Sequence, residues 1–252
     1  MFADDLLLLS GQDIPFPEAQ ITIHPPTLKE IGLINERNFF IGIDMLNFSK
    51  NKLSDLDKSR LEDVDDFEIF MSILGQGIND PEMEERIKAA LFVLSLIFPD
   101  YQIAFQENAI VLQKDGDIPK TINAINFKEF KQLIVEIFCL NKENANTEYN
   151  PGGPKAKELA EKFKKRREKL AKQKGQDTER IAIYSRYASI LAVALQLPLD
   201  QVLQYTVYQI NDQMERYELF TSWEFFNQAR MAGATGMDEP ENWMKDLKEK
   251  KK

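Results

Sequence analysis

Two residue types on which much protein chemistry depends are almost missing. The 252-residue chain has one cysteine, Cys139, and one histidine, His24. A single cysteine closes no internal disulfide, so the fold must stand on its own core. One of each also builds no Cys-rich zinc site and no multi-His metal site within the chain. Any Ser–His or Cys–His nucleophile would have to use His24. Long apolar runs are missing as well. Residues 6–9 and 89–98, the second run interrupted by Ser95, fall well short of the ~20 residues that a spanning helix needs, so no membrane role is expected. Cations are scarce: Lys+Arg number 32 against 41 Asp+Glu, a net charge of −9. That balance disfavours a uniform phosphate-binding coat. Asp4 and Asp5 stand where a secretory leader would carry basic residues, which points to the cytoplasm of the producing cell.

What is present is a globular composition, 43% hydrophobic and 29% charged, which can bury enough apolar surface to fold. Periodicity predicts a mainly α chain with a small β component in an N-terminal α+β part and an all-helical C-terminal part. Residues 1–19 carry little pattern, and 14–17 read as an extended lead-in. Residues 20–24 alternate like a short strand that Pro25 and Pro26 stop. Thr27 and Glu30 form a capping box for a helix that carries Leu28, Ile31, Phe39, Ile43 and Leu46 on one side and breaks near Gly42. Further helices are predicted over 67–74, from Pro81 to Phe98, and after Asn126, which reads as an N-cap for the stripe Phe127, Phe130, Ile134, Ile137 and Phe138. A hairpin is expected around Glu107 and Asn108. His24 reads as a strand-end residue and Cys139 as a small core residue.

The strongest boundary is the polar stretch 141–154, which closes on Asn150, Pro151, Gly152, Gly153 and Pro154. It divides an N-terminal domain, 1–140, from a helical C-terminal domain, 155–252. That second domain opens on a Lys-rich helix. A helix over 180–195 follows, with Ile181, Tyr184, Ala188, Leu191 and Leu195 inward. A long helix then starts near Asp200, with Leu203, Val207, Ile210, Met214 and Tyr217 as its core stripe and Gly233 as its C-cap.

Charge is distributed unevenly. Residues 53–85 hold eleven acids against Lys58 and Arg60, whereas 155–174 hold ten Lys/Arg against three Glu. The basic stretch, including Lys164, Lys165, Arg166 and Arg167, admits two readings. It is a solvated helix packed through Ala156, Leu159, Ala160, Phe163 and Leu170, or a cationic helix for an acidic partner or nucleic acid. It lacks base-stacking aromatics. On the long helix, Tyr205, Gln209, Gln213 and Arg216 share one narrow sector at four-and-three spacing. Buried, they would form a hydrogen-bonded network; open, they would form a protein-binding patch. Asp115 and Asp117 lack the remaining ligands of a calcium loop, and Gly75 and Gly77 lack the Gly-Lys-Ser/Thr ending of a phosphate loop. No catalytic set and no cofactor is expected.

Two stretches carry a resemblance. The first is Ile21-Thr22-Ile23-His24-Pro25-Pro26-Thr27-Leu28-Lys29-Glu30-Ile31. The second joins Asn150-Pro151, Leu203-Gln204-Tyr205-Thr206-Val207-Tyr208-Gln209-Ile210, Glu215-Arg216-Tyr217, Ala232-Gly233-Ala234 and Glu241-Asn242-Trp243-Met244. Together they resemble the tail-assembly-chaperone-like proteins of siphophages of Gram-positive bacteria; residues 50–125 have no counterpart in this likeness. The resemblance implies a non-enzymatic job in the host cytoplasm, shielding the tape-measure protein and assisting tail-tube subunits. Tyr205, Gln209, Gln213, Arg216, Trp223, Phe226 and Trp243 would serve as the binding residues. Self-association of the acidic and basic segments is a further expectation. The alternatives are a structural virion protein of the tail or head–tail junction, and a nucleic-acid-binding regulator using 155–174.

Overall fold

The structure, a computed structural model, describes residues 3–50, 64–76, 81–106, 108–140, 183–245 and 247. The 141–154 boundary, the basic stretch 155–174 with Lys164, Lys165, Arg166 and Arg167, residues 53–63 and 77–80 of the acidic stretch, and Ile181 lie outside the described residues. The fold is α+β, with two small antiparallel sheets in the N-terminal part and a helical C-terminal region. The chain forms two compact units. One comprises Met1–Asn141 together with Leu203–Tyr208, and the other Lys142–Val202 with Gln209–Lys252.

Residues 3–19 are more ordered than their pattern suggests. Helix α1, Asp5–Ser10, is capped by the Asp4 side chain, which accepts the Leu6 amide, and ends at Gly11 with φ 68°. Strand β1, Ile14–Phe16, pairs antiparallel with β2, Ile21–Ile23, so the expected lead-in is half of a hairpin. Ile14, Phe16, Ile21 and Ile23 are buried while Pro15 and Thr22 are exposed, the period of two that a one-sided strand requires. Proline is tolerated in β1 because this two-stranded sheet is all edge.

The capping box forms as the sequence predicts: Thr27 Oγ1 accepts from the Glu30 amide, and Glu30 Oε2 accepts from the Thr27 amide at 2.7 Å. The helix after it breaks at Asn35 rather than near Gly42. Asn35 has φ 60° and ends α2, Leu28–Ile34, while its side chain caps α3, Glu36–Leu46, by accepting the Asn38 amide. Gly42 has a different task. A Cβ there would lie 2.4 Å from the Ala89 carbonyl oxygen, so the bare backbone lets α3 approach the helix Pro81–Ile97.

Helix α4 runs Asp66–Gln76 and α5 runs Pro81–Ile97. The predicted hairpin is present as β3, Gln102–Gln106, and β4, Ala109–Gln113. A third strand, β5, Lys120–Ile122, which the sequence reading misses, pairs with β4. Helix α6, Phe127–Ile137, buries Phe127, Phe130, Leu133, Ile134 and Ile137. An aromatic cluster centres on it, with ring centroids 4.9 Å apart for Phe67 and Phe127, 5.3 Å for Phe70 and Phe127, and 6.2 Å for Phe98 and Phe130.

Asn126 does not cap α6 with its side chain. It is buried, and its amide braces the neighbourhood, accepting from the Asn123 amide and donating to the carbonyls of Thr121 and Glu18. A buried amide needs partners on both ends, and three backbone groups outcompete the cap. Cys139 is a half-buried turn residue with φ 54° rather than a core residue. Beside α6, Lys131 Nζ lies 2.7 Å from Asp66 and also donates to the Phe48 carbonyl. That ammonium ties the middle of α6 to the first residue of α4 and to the turn that follows α3.

In the C-terminal region α7, Ile183–Ala194, buries Tyr184, Ala188 and Leu191. Leu195 lies outside the helix and is exposed, because the backbone turns at Gln196 with φ 55°. The long helix starts later than the spacing predicts. A single turn, α8, Leu199–Val202, precedes it, and α9 runs Val207–Met231. Val207, Ile210 and Met214 are buried, while Leu203 and Tyr217 are only half-buried. The delay has a cause. Residues 203–206 form a turn and a bend that end in a single bridge beside the start of α2, where the Leu28 and Lys29 amides donate to the carbonyls of Tyr205 and Leu203, both at 2.9 Å, and Thr27 bridges Thr206. First-turn helix amides have no intrahelical acceptor; here the chain supplies one. At the other end Gly233, φ 90°, closes α9, and the Ala234 amide reaches the Ala229 carbonyl at 3.0 Å, the hydrogen bond of a Schellman cap.

Candidate protein-binding site

The sector seen in the sequence at Gln209, Gln213 and Arg216 continues along α9 as Phe220, Trp223 and Asn227, all at alternating four-and-three spacing. Positions so spaced form one seam on a helix. The seam changes character along its length. Gln209 and Gln213 are half-buried. Arg216 is engaged: its Nη1 donates to the carbonyls of Trp243 and Lys245, at 3.0 and 2.6 Å. This single guanidinium holds the C-terminal turn, residues 243–245, against α9 as a strap.

The strap brings Trp243 onto the next positions of the seam. Ring centroids of Phe220 and Trp243 stand 5.4 Å apart at 78°, an edge-to-face pair, and Trp223 lies 6.3 Å from Phe220 and 6.4 Å from Trp243. Such pairs add about 0.5–1.5 kcal/mol beyond burial. Yet the cluster is not a core. Phe220 is 37% exposed, Trp223 41% and the adjoining Met244 69%. One clasped turn thus keeps a large aromatic surface in water, and exposed apolar patches of this kind are where partner contacts are sought first.

Other expected residues lie elsewhere. Tyr205 precedes α9 and belongs with the first unit, its carbonyl spent on α2. Phe226 is buried and points to another side of α9, with the Arg230 guanidinium over its ring at 5.6 Å. Phe220 was missed, although the same four-and-three count, carried one step past Arg216, reaches it. Charge around the cluster is negative. Residues 209–245 hold seven acids against Arg216, Arg230 and Lys245. Desolvation and the neighbouring charge of Glu215 hold the Glu218 carboxyl above the usual carboxylate range.

The lone histidine is occupied. His24 Nδ1 lies 2.9 Å from Asp13 and Nε2 lies 3.4 Å from Glu30, the same carboxylate that closes the capping box. With a carboxylate at each nitrogen, the ring is suited to carry a proton on both. It has no lone pair directed at a nucleophile. Partial burial opposes its charge, but the Asp13 hydrogen bond and the Glu30 charge outweigh that and raise its pKa. Among the described residues no group of three or more His, Cys, Asp or Glu is placed to hold a metal ion, and no helix is long and apolar enough to cross a membrane.

Residues 184–248 match the family model of the YomV second domain, a segment that contains the whole strap and aromatic cluster. YomV is a Bacillus phage gene product, so the match points to a phage-related chain. No curated protein and no solved structure matches the chain.

Proposed function

We propose that the protein is a non-catalytic assembly factor of a phage tail, made in the host cytoplasm, that binds the tape-measure protein and tail-tube subunits through the α9 aromatic face. The observation that supports this reading most is the coincidence of two features in one segment. The stretch similar to a phage domain, 184–248, is also the stretch that keeps Phe220, Trp223 and Met244 in water. A chain that shields an amphipathic helix needs such a face, and the sole histidine, held between two carboxylates, offers no competing chemistry. Co-expression with the tape-measure protein of the same phage is the test. A soluble complex that co-purifies is expected; a tape-measure chain that stays insoluble and separate sinks the reading. Mass spectrometry of purified virions distinguishes the structural alternative, since an assembly factor is absent from the particle and a tail protein is present in stoichiometric amount.

A further inference from the structure

The charge around the aromatic cluster is more selective than its apolarity. The three cations of residues 209–245 are each spent within the chain. Arg216 holds the strap carbonyls, Arg230 lies over the Phe226 ring, and Lys245 pairs with Glu241 at 2.6 Å. By contrast, Glu224, next to Trp223 on α9, and Asp238 and Glu239, on the approach to the strap, are exposed and form no ion pair among the described residues. The part-exposed rings of Phe220 and Trp223 add a second cation-seeking element, worth about 0.5–1 kcal/mol per cation at an exposed site. The seam itself has helical periodicity, so a helix meets it along several turns.

We propose that this face is the docking surface for a basic amphipathic helix of a partner protein, one whose apolar stripe lies on Phe220, Trp223 and Trp243 and whose flanking Lys or Arg residues meet Glu224, Asp238 and Glu239. The proposal rests on the protein-binding reading above and specifies the chemistry of the partner. It excludes acidic helices, because like charges meeting across the rim would oppose association.

Both tryptophans of the chain, Trp223 and Trp243, lie in this cluster, so intrinsic fluorescence reports on it alone. The probes are two 18-residue helical peptides without Trp or Tyr, each with leucine at its core positions. One carries lysine at the flanks and the other glutamate. Each is titrated into the full chain, with affinity read from the anisotropy of a labelled peptide. The lysine peptide is expected to bind at least tenfold tighter than the glutamate peptide and to shift tryptophan emission to the blue. Trp223→Ala or Glu224→Lys is expected to weaken it at least tenfold, whereas the Glu84→Lys/Glu85→Lys pair on α5 leaves it unchanged.

Equal affinity for the two peptides overturns the proposal. So does an equal loss with the α5 pair, which would mark non-specific charge attraction. Absence of peptide binding with tryptophans that become covered as protein concentration rises also overturns it, since the occupant is then a second copy. The two readings fail separately. Selective peptide binding without tape-measure co-purification removes only the phage-tail role. Co-purification that survives Trp223→Ala, with no peptide selectivity, removes only this surface.

Discussion

Lys131 and Asp66 show how a residue's neighbours decide what it does. The lysine reads as a polar position on α6, yet its side chain is only 13% exposed and reaches a carboxylate on α4 and a carbonyl beyond α3. Burial pulls the Asp66 carboxyl upward, but the Lys131 hydrogen bond and the Lys50 amide outweigh it, and the net shift is down. Its contribution is therefore present above the ordinary aspartate range and lost as pH falls through the lowered value. Asp66→Asn leaves the ammonium short of a counter-charge, and urea unfolding should show a loss of about 2 kcal/mol, under the ~3–5 of a fully buried pair. His24 works in the opposite sense. Its raised pKa means that its contribution is complete below pH 6.5 and disappears as pH rises through the folded value. Thermal melts at pH 6 and pH 8 should differ more for the wild type than for His24→Gln; equal differences would show that the ring is electrostatically idle. Neither partnership was legible in the sequence, because both join residues from different elements and leave no local spacing.

At the scale of elements, local rules were read well wherever the local contest was uneven. The Thr27–Glu30 box, the β3–β4 hairpin, the Pro81 start and the Gly233 stop each depend on residues within a few positions of one another. Asn126 was misread because an N-cap preference of about 1 kcal/mol competes with three backbone partners that only the fold supplies. Gly42 was misread as a break because glycine lowers helix propensity; its use is the α3–α5 approach. That assignment has a paired test. Gly42→Ala should cost about 1–3 kcal/mol through overpacking, while Gly32→Ala in α2, which meets nothing within 4 Å, should add about 0.4–1 kcal/mol by stiffening the unfolded chain. Matching losses at both glycines would show that propensity, not packing, governs Gly42. On α9 the seam was visible as far as Arg216, and its aromatic continuation needed only the count extended. The strap did not show, because the hydrogen bonds that hold it run to backbone carbonyls, which every sequence has.

At the scale of the molecule, the turn at residues 203–206 matters most. Helix first-turn amides ordinarily open to water, but those of Leu28 and Lys29 end on carbonyls of Tyr205 and Leu203. Hydrogen exchange should find these two amides protected well beyond the first turn of α3, and unprotected amides would mean the clasp does not persist in solution. The same clasp imposes a timetable on synthesis. The acceptors emerge about 175 residues after the donors they satisfy, which at 5–20 residues per second is about 10–35 s of translation. Through that interval the nascent N-terminal unit waits for its closing piece. A message cut short ahead of codon 203 yields a polypeptide that holds nearly all of that unit's sequence and still cannot finish it.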